Sequence, residues 1–80
     1  MNPKKRFAHK SLKSSVVEYL REQIFLENYV GGDRIVESKV AKELDISRAP
    51  VREAINELEN EGLVETIPRK GTFVVEFDTD

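Results

Sequence analysis

The chain has no cysteine, no tryptophan, one methionine and one histidine in 80 residues. Without thiols it can form neither disulfide staples nor thiolate metal sites, and His9 lies in a polar stretch with no companion ligands, so no metal or cofactor is expected. Glycine and proline are also scarce, at four and three residues. With 39% apolar and 35% charged residues, that scarcity excludes a low-complexity or disordered chain and points to a helix-rich globular one. No apolar run reaches the ~18 residues of a membrane span, and Met1-Asn2-Pro3-Lys4-Lys5-Arg6 does not lead into a signal-peptide core. A cytoplasmic protein without a membrane partner is expected. A chain this short buries only ~60–65% of its unfolded surface, which limits it to one compact core.

Positive charge is short as well. The net charge is −2, but Lys4, Lys5, Arg6, Lys10 and Lys13 crowd into the first 13 residues, leaving eight basic against fifteen acidic residues, a net −7, over positions 14–80. Bulk electrostatics therefore argues against a nucleic-acid partner, and any such reading must rest on where the few cations sit.

Apolar residues Leu12, Val16, Leu20 and Ile24 recur every four positions, with Val17 and Tyr19 beside them, and predict a helix from about Ser11 to Glu27. Ser15 followed by Glu18 offers an alternative, later start as a capping box. Asn28 and Gly31-Gly32 supply its stop. Arg34-Ile35-Val36 leaves room for a short strand. Ser38 is the expected cap of a second helix, Lys39 to Leu44, whose Val40, Ala41 and Leu44 share a face. After a turn at Asp45-Ile46-Ser47, Ser47 caps a third helix from Arg48 to about Asn60, with Pro50 in the first turn, where a missing N–H costs nothing. Gly62 closes it in the left-handed conformation, with Leu63 making the accompanying apolar contact. Leu63 to Ile67 and Thr72 to Phe77 read as two strands around Pro68-Arg69-Lys70-Gly71, with Phe73, Val75 and Phe77 alternating onto one face.

The order helix, strand, helix, turn, helix, hairpin predicts a mainly α fold with a small β-hairpin: a winged helix-turn-helix of three helices and a two- to three-stranded antiparallel wing. Residues 1–11 read as a basic flexible leader, 12–77 as the domain and 78–80 as the start of a linker.

On the third helix, Val51, Ala54, Ile55 and Leu58 form the packing face, and Ala49, Arg52, Glu53 and Asn56 lie opposite. Arg48 and Arg52, four apart, stack near the amino-terminal end, which is the end that meets base edges in helix-turn-helix docking. A guanidinium can grip guanine O6 and N7 or clamp a phosphate. Ser47 and the free amides of the first turn suit a phosphate. Asn56 is an outer candidate for adenine. For an arbitrary helix, the plainer reading of Arg48 and Arg52 is a solvated face paired with Glu53, Glu57 or Glu59; the turn pattern favours the functional one. Arg69, Lys70 and Gly71 combine basic side chains with a bare backbone at the hairpin tip. Glu53, Glu57 and Glu61 recur at helical spacing but lack a nucleophile–base pair or cleft, so an enzyme is not expected. A protein-interaction module, favoured by the net −7, is the chief rival.

The run Ile46-Ser47-Arg48-Ala49-Pro50-Val51-Arg52-Glu53-Ala54-Ile55, followed by Leu58-Glu59, Glu61-Gly62-Leu63-Val64, Pro68 and Gly71, resembles the amino-terminal domain of the GntR family of bacterial regulators, with Pro50 similar to its FadR-like branch. The resemblance spans about Leu12 to Phe77. It implies contact with double-stranded DNA by Ser47, Arg48, Ala49, Pro50 and Arg52, and by Arg69, Lys70 and Gly71 at a wing that enters the minor groove. Some members use an arginine at the start of the second helix, where this chain has Ser38. It further implies a repressor that dimerises through a larger carboxy-terminal domain, binds a small-molecule effector there, and reads a near-palindromic operator. The present chain would then be an isolated reading head, monomeric by itself.

Overall fold

The computed structural model describes residues 11–76. Helix α1 spans Leu12–Phe25, strand β1 Arg34–Ile35, helix α2 Glu37–Leu44, helix α3 Arg48–Asn60, strand β2 Val64–Ile67 and strand β3 Gly71–Val74. The strands form one antiparallel sheet in the order β1-β3-β2. This is the expected winged helix-turn-helix. The leader cations at positions 4, 5, 6 and 10, together with Phe77 and residues 78–80, lie outside the described residues.

Local chemistry sets the helix ends. Ser11 caps α1, its hydroxyl accepting from the Ser14 amide at 3.1 Å, so the later start at Ser15 is not used. All three helices stop the same way. Glu27, Asp45 and Gly62 adopt positive φ of 63°, 56° and 82°. In each case the next amide reaches back into the last turn: Asn28 to the Gln23 carbonyl, Ile46 to Ala41 and Leu63 to Leu58, at 2.9, 3.0 and 3.0 Å. These are Schellman closures. The expected stop at Asn28 or the glycine pair is thus displaced to Glu27, and α1 ends two residues earlier than its apolar pattern suggested. Asn28 instead donates its side-chain amide to Gln23 Oε1 at 2.8 Å.

Helix α2 begins earlier than expected. Glu37 is its first residue and Val36 the cap, so Ser38 lies inside the first turn and caps nothing. Carboxylates are favoured in a first helical turn by the unpaired amides, and Glu37 takes that place.

The core comprises Val16, Val17 and Leu20 of α1, Ile35 of β1, Val40 and Ala41 of α2, Val51, Ala54, Ile55 and Leu58 of α3, Val64 of β2 and Val74 of β3. Helix α3 packs on α1, α2 and β2, which makes it the central element. In the sheet, Val64 pairs with Val74 and Thr66 with Thr72, whose hydroxyls meet at 3.2 Å. Phe73 sits between Arg34 and Glu65 in the adjoining register row, half-buried on the outer face. Alternation groups Phe73 with Val75 but cannot say which face turns inward; pairing with Val64 makes it the face of Val74.

Ion pairs join α1 to the acidic side of α3. Lys13 Nζ lies 3.0 Å from Glu57, and Arg21 Nη2 lies 2.6 Å from Glu61. Both pairs are solvent-accessible, so they add little to stability. Burial dominates instead. Leu58 is fully buried, and its truncation leaves a cavity in the core. Leu58→Ala is expected to lower the unfolding free energy by about 2–5 kcal/mol, a large share of what a domain this small can have, as measured by urea denaturation.

Candidate nucleic-acid interface

Burial of Val51, Ala54, Ile55 and Leu58 turns the opposite side of α3 to solvent, where Arg48 and Arg52 are exposed. Their side chains open onto a groove of about 300 Å³ that Arg34, Ile35, Val36, Glu37, Ser38, Gly71 and Thr72 complete. The groove therefore joins three elements: the start of α2, the amino-terminal end of α3 and the base of the wing.

The partner of the arginines is neither Glu53, Glu57 nor Glu59. Glu37, across the helix-turn-helix on α2, receives Arg52 Nε at 3.2 Å and Arg52 Nη2 at 3.0 Å on its two oxygens, and Arg48 Nε at 3.3 Å. The hydrogen bond from Arg52 is the main reason the Glu37 carboxyl is held below the ordinary glutamate range, ahead of the charges of Arg52 and Arg48. Reciprocally, Arg52 is raised above its ordinary value. Residue spacing on a single helix could not show this bridge, because Glu37 and Arg52 are fifteen positions apart.

Ser47 occupies the cap position of α3 with φ −71° and ψ 167°, but its hydroxyl makes no capping bond. That hydroxyl is exposed next to Arg48, at the open start of α3. Ala49 is exposed beside them and Pro50 half-buried. Ser38 lines the groove without the capping role expected of it. Asn56 is not brought to this site: it lies in a separate shallow depression with Lys13, Glu53, Glu57 and Asn60.

At the wing tip the Lys70 amide donates to the Ile67 carbonyl at 3.0 Å, with Pro68 and Arg69 between them. Proline at the second position and a positive φ at the third, 66° for Arg69, is the pattern of a type II turn. Glycine or asparagine ordinarily fills that third position, so an arginine there carries backbone strain of about 1–2 kcal/mol. Gly71 follows with φ 127°, and a Cβ there would lie 2.7 Å from Arg34 Nε. Its bare backbone is thus where the Arg34 side chain lies. Arg34, like Glu37, is a groove residue that sequence reasoning missed. Its only signal was a cation opening a short strand, and its place beside the wing comes from the Arg34↔Phe73 register.

Among the described residues, three guanidiniums therefore line the groove against one carboxylate, with Arg69 and Lys70 at the adjoining tip, in a chain that is acidic as a whole. A helix-turn-helix whose second helix presents arginines beside a basic hairpin is the winged-helix architecture of transcription regulators. Residues 12–74 match the family described as bacterial regulatory proteins, gntR family. The chain belongs to the GntR family and carries its winged helix-turn-helix domain. It is 33% identical over 66 residues to an uncharacterised HTH-type transcriptional regulator of Mycobacterium tuberculosis, covering 82% of this chain and 27% of that protein. It is 35% identical over 69 residues to the mannosyl-D-glycerate transport/metabolism system repressor MngR of Escherichia coli, covering 85% and 29%. Among solved structures, a GntR regulator from Rhodococcus sp. RHA1 superposes with a TM-score of 0.79 at 33% identity, covering 82% of this chain and 32% of that one. The chain thus spans little more than a quarter of the length of these curated relatives.

The charge cluster has a direct spectroscopic signature. The side-chain carbon of Glu37 should titrate with a midpoint below that of an ordinary glutamate, and Arg52→Ala should move the midpoint upward. Because the folded value is depressed, the stabilisation from this bridge is complete above the ordinary glutamate range and is lost as pH falls through the lower folded midpoint. A normal midpoint in the unmodified chain would mean the bridge is not populated in solution.

Proposed function

We propose that this domain binds double-stranded DNA sequence-specifically, with the amino-terminal end of α3 in the major groove and the wing at the neighbouring minor groove. The observation that carries the reading is the gathering of Arg34, Arg48 and Arg52 with the open start of α3 on one face, while Glu57 and Glu61 are paired off toward α1. Arg52 supplies base contact; Arg48, Ser47, Ala49 and Pro50 approach phosphate and sugar; Arg69, Lys70 and Gly71 hold the minor-groove edge, with Arg34 behind them. Ser38 stands where it can touch backbone, and Asn56 is at most an outer contact. The strained arginine at the tip fits this role, since strain is retained where a side chain is needed in one place.

The chain acts as the reading head of a cytoplasmic regulator of the FadR-like branch, a repressor and not an enzyme. Residues 12–77 form the head. The full regulator is a homodimer on a near-palindromic operator and takes a small-molecule effector on a carboxy-terminal domain beyond the head. The short share of its relatives that this chain spans supports a larger parent, and the repressor name of MngR supports the sign of regulation. By itself the head is a monomer.

Duplex binding should weaken steeply as salt rises, because phosphate neutralisation releases counterions. Arg52→Ala is expected to cost about 1–3 kcal/mol on a selected sequence and to relax preference at one base pair. Lys70→Ala should weaken all sequences alike and reduce the salt slope by roughly one. Titrations of a selected and a scrambled duplex at several salt concentrations check both. Absence of duplex binding at low salt would overturn the DNA reading. Arg69→Gly should relieve the strained turn and stabilise the fold by up to about 1 kcal/mol while weakening DNA binding, a trade that thermal melts and the same titrations would reveal.

A further inference from the structure

We propose that Glu37 is a positioning residue that orients Arg52 for base reading, so that base discrimination depends on a carboxylate that itself touches no base. The proposal rests on the DNA reading above and adds a device to it.

The bond geometry carries it. A guanidinium has five N–H donors in one plane. Glu37 takes the Nε–H of Arg52 on one oxygen and an Nη2–H on the other, at 3.2 and 3.0 Å, which occupies one edge of the fork. Both Nη1 hydrogens and the second Nη2 hydrogen remain. The two that point away from the chain in parallel form the end-on pair that matches O6 and N7 of guanine. The carboxylate thus fixes the plane of the guanidinium and leaves the reading end open. Arg48 is treated differently: it gives Glu37 only its Nε, at 3.3 Å, so the rest of its fork is free to swing onto phosphate.

Glu37 suits the task by its place in the helix and its lower exposure. It is the first residue of α2, where the helix's unpaired amides favour a negative charge, and its side chain is only 22% exposed, against 64% for Arg52. An exposed arginine is therefore anchored to a more buried carboxylate on a separate helix. The arrangement also carries a cost. A negative charge beside the phosphates weakens contact with every sequence alike, so the residue exchanges general affinity for discrimination. A carboxylate that merely blocked the arginines would show the cost without the gain.

The test uses the whole chain and a pool of random-sequence duplex DNA. The sequence enriched by the unmodified chain is titrated alongside single-base-pair variants and a scrambled duplex. Glu37→Gln should lower discrimination at one G·C pair by roughly fivefold or more and tighten binding to the scrambled duplex about two- to fivefold at low salt. Glu37→Asp, which keeps the charge but shortens the reach, should lose discrimination without the gain on the scrambled duplex. Glu57→Gln removes the same charge from the depression around Asn56 and should leave discrimination unchanged. Wild-type discrimination in both Glu37 variants, or equal loss of discrimination in Glu57→Gln, would overturn the proposal while the DNA reading stands. If the unmodified chain enriches no sequence, the functional reading fails and takes this proposal with it.

Discussion

The apolar face of α3 is enclosed by α1, α2 and the sheet. Val51, Ala54, Ile55 and Leu58 are each 5% exposed or less, and a helix has only one side opposite such a stripe. Burying one face therefore fixes the azimuth of the other, and Arg48 and Arg52 face outward as a consequence of packing. The three left-handed closures at Glu27, Asp45 and Gly62 act on the same constraint from the ends. They turn the chain sharply enough for α2 and β2 to return against α3 without long loops. With a core of a dozen buried residues among those described, a single large-to-small change has little reserve behind it.

Charge placement solves a problem that composition alone presents. A domain with excess acid should repel a polyanion, yet Glu57 and Glu61 are drawn to Lys13 and Arg21 on the α1 side of α3. The groove keeps its three arginines, and the single acid among them, Glu37, is shared by two of those arginines. Solvated pairs of this kind add little stability. Their importance is in distributing sign over the surface, which governs where a charged partner can approach.

Much of this was legible in the sequence, for identifiable reasons. Helix α3 was readable end to end because its apolar spacing, Ser47, Pro50 and Gly62 all agree, and its observed limits, Arg48–Asn60, match that reading. Where one residue type had to decide between local options, the reading slipped. Ser38 looked like a cap because serine caps well, but Glu37 competes for the same first turn and places Ser38 within it. Asn28 looked like a stop, whereas the closure tolerates Glu27 at a modest backbone cost. Candidate site residues on α3 and the wing tip were visible as local clusters. Arg34 and Glu37 were not, since their roles depend on strand register and on contact between helices, neither of which any spacing rule encodes.

The central claim is that the outward face of α3 and the wing together form the DNA-contacting surface. Backbone amide shifts of the isotope-labelled chain, followed while a short duplex is added at low salt, test it most directly. Changes should concentrate at residues 47–52 and 69–72, with Glu37 and Ser38 included, and should leave residues 15–25 of α1 nearly unmoved. Shifts centred instead on α1 and the acidic side of α3, or none at duplex excess, would contradict the account.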